Sequence, residues 1–214
     1  MKRYILACLT VAVVFGCSLA SVKADDIYPP PWQRGQPNST YADWTFANLQ
    51  NPAPPDLGMF NPNGTPTATI NSGVWHNFYD NHVGVWSPGS PSNPLSMTFG
   101  IPNTPYDPLR YKDVWMQVTW QPDFGAQPFV TVDGHPAQLL LSQPVGNGAW
   151  FQNVYEYSFP FNPNVEVVGI TGLIDVGQVV IDTQCIPEPS SLVLLGVGVI
   201  GLVRYASRKR RLAA

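Results

Sequence analysis

Between residues 25 and 185, apolar and polar positions alternate with a period of two in short runs, and clusters of Gly, Pro and Asn separate the runs. That period places successive side chains on opposite faces of a strand. The clearest run is Tyr111 to Trp120, where Val114, Met116, Val118 and Trp120 form the face predicted to enter the core. Tyr111, Asp113, Trp115, Gln117 and Thr119 form the other. Strands are also predicted at Pro128 to Val132, closed by an Asp133-Gly134 turn, at Gln138 to Leu141, Val154 to Phe159, Val165 to Thr171 and Gln178 to Cys185. In the last of these, Val179, Ile181 and Thr183 alternate with Gln178, Val180 and Asp182. The first half is looser, with predicted strands at Trp44 to Leu49, Thr67 to Ile70, Gly73 to Tyr79, Val83 to Trp86 and Leu95 to Ile101. No helical period of useful length occurs in this segment. The pattern predicts an all-β, antiparallel β-sandwich of jelly-roll-like winding. Residues 25 to 38 read as an extended N-terminal arm, and Asn51 to Pro66, rich in Pro, Asn and Gly, as a long surface loop.

The two ends follow other rules. Residues 1 to 24 have the layout of a secretory signal peptide: Lys2 and Arg3, an apolar run from Ile5 to Phe15, and Val22-Lys23-Ala24 before Asp25. Val14-Phe15-Gly16-Cys17 offers a competing lipoprotein-type processing site, although Phe15 fits it poorly. At the other end, Ile186-Pro187-Glu188-Pro189 leads into an uncharged stretch, Leu192 to Val203, then Arg204 and the cluster Arg208-Lys209-Arg210-Arg211. Two prolines are expected to end the preceding strand. The uncharged residues from Pro189 to Val203 cover about 22 Å as a helix, short of the roughly 30 Å hydrocarbon core. Tyr205, Ala206 and Ser207 add another turn if Arg204 snorkels. The basic cluster should stay cytoplasmic, leaving the preceding domain outside. The predicted organisation is therefore a signal peptide at 1–24, an extracytoplasmic β-sandwich at 25–185, and a sorting and anchoring segment at 186–214 with one short C-terminal transmembrane helix.

The order of Pro187-Glu188-Pro189, a short Gly-containing apolar helix and terminal Arg204, Arg208, Lys209, Arg210 and Arg211 resembles the PEP-CTERM sorting signal of Gram-negative bacteria. The resemblance covers Ile186 to Arg211. It implies a partner, the membrane-embedded transpeptidase exosortase, which recognises the Pro-Glu-Pro element and processes the chain near it. It also implies a precursor held in the membrane and a product at the envelope, cell surface or extracellular matrix. A plain C-terminal anchor is the alternative.

Composition narrows the middle segment further. Only 12% of residues are charged and 44% are hydrophobic, with 7 tryptophans, which argues against disorder. Of the 11 basic residues only Arg34, Arg110 and Lys112 lie between 25 and 185, against 13 acidic ones, a formal charge of −10. Such a surface repels phosphate backbones and excludes nucleic acid as a partner. Cys185 is the single cysteine beyond the leader, so no internal disulfide can form there; a half-buried structural thiol is expected.

No catalytic motif appears. His76, His82 and His135 are the only histidines, and no Gly-x-Ser-x-Gly elbow accompanies them. His76 and His82 with Asp80 could form a metal corner, but no third histidine lies nearby. Glu156, Glu166, Asp113 and Asp175 are expected as solvated acids on outer strand faces rather than a glycosidase pair. Calcium could be held by oxygen-rich loops at Asn77 to Asn81 and Asp107 to Asp113. Asp113, Trp115 and Gln117 together make a candidate ligand face, where an indole stacks on a sugar ring and polar neighbours bond its hydroxyls; plain packing of Trp115 is the competing reading. The expectation is a non-enzymatic surface or matrix protein with polysaccharide as a candidate ligand. An extracellular polysaccharide hydrolase and a purely structural matrix component are the alternatives.

Overall fold

The computed structural model describes residues 26–105, 110–125, 127–146 and 148–187, together with 198 and 200. The leader lies outside the described residues. So does the C-terminal segment beyond 187, except for helical positions 198 and 200. No helix among the described residues is long and apolar enough to cross a membrane.

The strands are β1 (Ser39–Trp44), β2 (Gly58–Phe60), β3 (Thr67–Ser72), β4 (Val74–Tyr79), β5 (His82–Ser87), β6 (Leu95–Pro102), β7 (Arg110–Pro122), β8 (Phe129–Val132), β9 (His135–Pro136), β10 (Gln138–Val145), β11 (Trp150–Phe159), β12 (Val165–Gly172) and β13 (Ile174–Pro187). They form two antiparallel sheets. The larger has the order β10-β11-β7-β13-β1-β2, with β5 also paired to β13 and β4 to β5. The smaller runs β3-β6-β12-β8-β9. The chain changes sheet at most connections, and the last two strands slot between earlier ones, β12 between β6 and β8 and β13 between β7 and β1. Strands distant in sequence are thereby locked together.

The core lies between the sheets. Val114, Met116 and Val118 of β7 and Val179 and Ile181 of β13 meet Met97, Phe99 and Ile101 of β6 and Val168 and Ile170 of β12 in one buried cluster. Trp44 crosses the gap edge-on to Phe99, with ring centroids 5.0 Å apart. The face predicted for Tyr111 to Trp120 is the one that enters the core.

Three local expectations change. The predicted strand from Trp44 to Leu49 is instead β1, ending at Trp44. Phe46 adopts a positive φ of 53°, and the Asp56 carboxylate accepts the Thr45 and Ala47 backbone N–H groups at 2.6 and 2.7 Å, turning the chain out of the sheet. Within the predicted loop from Asn51 to Pro66, β2 pairs with β1, and Ala53 bridges to Ala68. The last strand runs past Cys185 to Pro187, which pairs with Arg110. A proline needs no ladder N–H at a strand terminus, so Pro187 can be the last residue of the strand. The Asp80-Asn81 and Asp133-Gly134 turns form as expected, with φ of 44° and 66° in the first and 48° and 79° in the second.

Candidate functional site

Asp113, Trp115 and Gln117 do share the outer face of β7, but that face is covered by the N-terminal arm. The Trp115 indole N–H donates to the Tyr28 carbonyl at 2.9 Å. Gln117 is buried, accepting the Tyr28 N–H at 2.9 Å and donating to Asp26 Oδ1 at 2.7 Å. Asp113 accepts the Ser158 hydroxyl at 2.6 Å. Arg34 fastens the arm. Its Nε and one terminal nitrogen donate to the two oxygens of Asp182 at 2.6 and 2.7 Å, both terminal nitrogens bond Asp26, and the guanidinium lies 4.1 Å over the Tyr41 ring. Burial works against the Arg34 charge, but its hydrogen bonds to Asp26 and Asp182 and the attraction of both carboxylates outweigh it and raise its pKa. Asp182 responds differently: burial pushes its carboxyl up to about 6, and Arg34 offsets this only in part.

The acids expected to be solvated divide. Glu156 and Asp113 are half-buried, whereas Glu166 and Asp175 are buried, which corrects the outer-face reading for those two. Glu166 has the same parity along β12 as Val168 and Ile170, so the pleat points it inward. Asp175 accepts from the Gln121 side chain at 3.2 Å, and burial raises its carboxyl above the usual range. His76 packs at a tilt against Tyr79 and His82 against Trp150, with centroids 5.3 and 4.0 Å apart, and the Asp80 backbone carbonyl accepts the Trp150 indole N–H at 3.0 Å. Among the described residues no group of three or more His, Cys, Asp or Glu is placed to hold a metal. The proposed calcium loop at Asn77 to Asn81 is the end of β4 plus a two-residue turn. Of Asp107 to Asp113, residues 110–113 belong to β7 and 107–109 lie outside the described residues.

A second polar cluster, not anticipated from the sequence, lies at one end of the sandwich. Lys112 of β7 and Glu166 of β12 come from opposite sheets and are both fully buried, with Nζ and Oε1 3.0 Å apart. Lys112 Nζ also donates to Asn103 Oδ1 at 3.1 Å and lies 3.5 Å from Cys185 Sγ. Asn103, just beyond β6, donates its amide nitrogen to Glu166 Oε1 at 2.7 Å, Asn162 Oδ1 at 2.6 Å and the Pro163 carbonyl at 2.8 Å. The Thr104 backbone N–H donates to Asn103 Oδ1 at 2.8 Å. The Cys185 thiol, buried rather than half-buried, donates to Asn162 Oδ1 at 3.0 Å. Glu166 Oε2 is buried without a hydrogen-bond partner, and desolvation holds the Glu166 carboxyl above the ordinary range despite Lys112. A recess of about 140 Å³, lined by Asn38, Asn103, Arg110, Lys112 and Cys185 among others, opens onto the cluster. One signal could have found it: Lys112, Glu166 and Cys185 each share the inward parity of their strands with Val114, Val168 and Ile181.

The fold and the tail define an exported antiparallel β-sandwich carrying a C-terminal sorting signal. The chain carries the PEP-CTERM protein-sorting motif at residues 186–211, which indicates export, processing by the membrane enzyme exosortase and arrival at the cell surface. Ile186 and Pro187 of that motif are the last residues of β13, so the sorting element begins where the sheet ends. Glu188, Pro189 and the basic residues Arg204, Arg208, Lys209, Arg210 and Arg211 lie outside the described residues. No curated protein matches the chain. Among solved structures it is similar to an isomalto-dextranase of Arthrobacter globiformis T6 complexed with panose, at 13% identity and a TM-score of 0.30, over 67% of this chain and 23% of that one. It is also similar to the enzymatically active domain of tailspike protein 4 of bacteriophage CBA120, at 15% identity and a TM-score of 0.20, over 71% of this chain and 19% of that one. The chain thus spans about a quarter or less of the solved chains it matches.

Proposed function

We propose that this protein is a non-enzymatic structural component of the bacterial surface or extracellular matrix, delivered as a membrane-held precursor and released from its tail by exosortase. The observation that supports a structural role over a sugar-binding one is the arm. The aromatic and polar set on β7, the natural platform for a saccharide, has its indole N–H and its carboxamide already bonded to residues 26 and 28. A sugar would have to displace these bonds and the Arg34 clamp before it could stack. Buried carboxylates support the same reading, since Glu166 and Asp175 are engaged inside the fold rather than aimed across an open cleft.

The test is a polysaccharide pulldown and glycan array with the secreted protein, run with calcium and with chelator, beside Trp115→Ala. The structural reading predicts no selective binding in any of these conditions. Selective binding abolished by Trp115→Ala would overturn it and restore a carbohydrate module.

A further inference from the structure

We propose that Lys112 and Asn103 become joined by an intramolecular amide bond, formed by the protein itself, that ties the two sheets of the sandwich together. The motif that directs this protein out of the cell says nothing about such a link. The observation behind it is the buried contact of an amine, a carboxamide and a carboxyl group within one hydrogen-bonding triangle. Lys112 Nζ is 3.1 Å from Asn103 Oδ1 and 3.0 Å from Glu166 Oε1, and Asn103 Nδ2 is 2.7 Å from the same Glu166 oxygen.

Each part of the chemistry has a group to perform it. Glu166 accepts a proton from the Lys112 ammonium, leaving a neutral amine beside a neutral acid. In a dry site this exchange replaces two buried charges with none, and the direction in which burial moves Glu166 favours it. Glu166 Oε2, buried and unpartnered, is free to carry the proton. The amine lone pair then attacks Asn103 Cγ, forming an N–C bond while the C=O π pair moves onto Oδ1. The Thr104 backbone N–H, 2.8 Å from Oδ1, stabilises the developing negative charge. Glu166 returns its proton to Nδ2 as the C–N bond breaks, and the carboxylate so formed, 3.0 Å from Nζ, takes up the remaining extra proton of the attacking nitrogen, so that the balance is amine plus carboxamide to substituted amide plus ammonia, with Glu166 left protonated. No oxidant, reductant or cofactor is required.

The surroundings of the leaving nitrogen fit that outcome. An amide NH₂ has two hydrogens, yet Nδ2 of Asn103 faces three acceptor oxygens, on Glu166, Asn162 and Pro163, all within 2.8 Å. Ammonia has three hydrogens and satisfies all of them. The recess beside Asn103 and Lys112 gives it a way to solvent. Holding the reactants in contact within a rigid fold supplies the high effective concentration that an unactivated carboxamide needs. The link would also serve a domain whose only cysteine, Cys185, cannot form an internal disulfide.

The test is peptide mapping of the secreted protein. Between Arg34 and the Pro-Glu-Pro element trypsin has only Arg110 and Lys112 to cut at, so the unlinked chain yields 35–110, 111–112 and a fragment beginning at residue 113. An acylated Lys112 is not cut. The expected result is 35–110 covalently joined to the fragment beginning at residue 111, stable to boiling and reductant, and lighter than the sum of its parts by one ammonia. Glu166→Gln should give the separate fragments at full mass while keeping the β-type circular dichroism of the parent. Separate fragments at full mass from the folded parent chain would overturn the proposal. So would loss of ammonia without joining, the mark of a succinimide at Asn103. Joined fragments from Glu166→Gln would overturn the role given to Glu166. The parent's map decides the main question even if that variant does not fold.

Discussion

The two sheets of this sandwich treat their outer faces in opposite ways. The smaller sheet alternates cleanly: in β12, Glu166, Val168 and Ile170 are buried while Val165 and Val167 face out, and β6 and β8 keep the same rhythm. In the larger sheet β1 is buried at each of its six positions and β13 from Ile174 to Thr183, so both faces are covered. Over Trp115, Gln117, Tyr41 and Asp182 the outer cover is the N-terminal arm. On this buried outer face lie side chains that would ordinarily seek water, Asp43, Gln117, Gln178 and Asp182, and each is engaged: Gln178 donates to Asp43 at 2.7 Å, Gln117 bonds the arm, and Asp182 holds Arg34. A polar face thus becomes an interior one when Asp26, Tyr28 and Arg34 of the arm and neighbours within the sheet provide its partners. The same sheet geometry yields a water-facing surface in one layer and a sealed centre, around β1 and β13, in the other, and only the second depends on a charge clamp.

Matched substitutions should separate the two faces. Val180 on the outer face of β13 is 0% exposed, so Val180→Asp places an unpaired charge in a dry layer and is expected to cost about 4 kcal/mol or more in urea unfolding. Arg34→Ala strips the partner from fully buried Asp182 and should cost about 3 kcal/mol. Next comes pH. The Asp182 carboxyl is raised from 3.8 to about 6, so the folded state binds a proton that the unfolded chain has already lost. Its contribution is present in full below the unfolded value and is lost as pH rises through the folded one; Glu166 and Asp175 shift in the same direction. Unfolding free energy should therefore fall by on the order of 2–3 kcal/mol between about pH 4 and 7, with a shallower fall in Asp182→Asn. The smallest effect belongs to the open face: Val167, 41% exposed on β12, should tolerate Val167→Asp within about 0.5 kcal/mol. Equal costs for Val180→Asp and Val167→Asp would erase the distinction between the sheets.

The same contrast explains what could be read from the sequence. Alternation reports a strand with one wet face, and it located β6, β7, β8 and β12 to within a few residues because those strands have the inner apolar phase that period two requires. It misplaced β1, whose Ser39-Thr40-Tyr41-Ala42-Asp43-Trp44 carries polar groups on both faces and reads as coil until its partners are known. Trp115 and Gln117 were correctly put on one face, but nothing local says that residues 26 to 34 return to cover it; that contact spans almost ninety positions. Lys112 and Glu166 were passed over for the opposite reason. Their charge argued for solvent, while their parity, shared with Val114 and Val168, placed them inside. The sorting motif at 186–211 was legible because its signal is a contiguous motif rather than a packing pattern.

The Tyr28 amide reports directly on whether the arm is docked, since that N–H donates to the buried Gln117 side chain and to no strand ladder. Hydrogen–deuterium exchange at Tyr28 in the secreted protein should show strong protection, falling toward the rate of an unstructured peptide in Arg34→Ala. Exchange at the unstructured rate in the unmodified protein would mean that the arm is free, the outer face of β7 is open, and the Trp115 surface is available to a ligand after all.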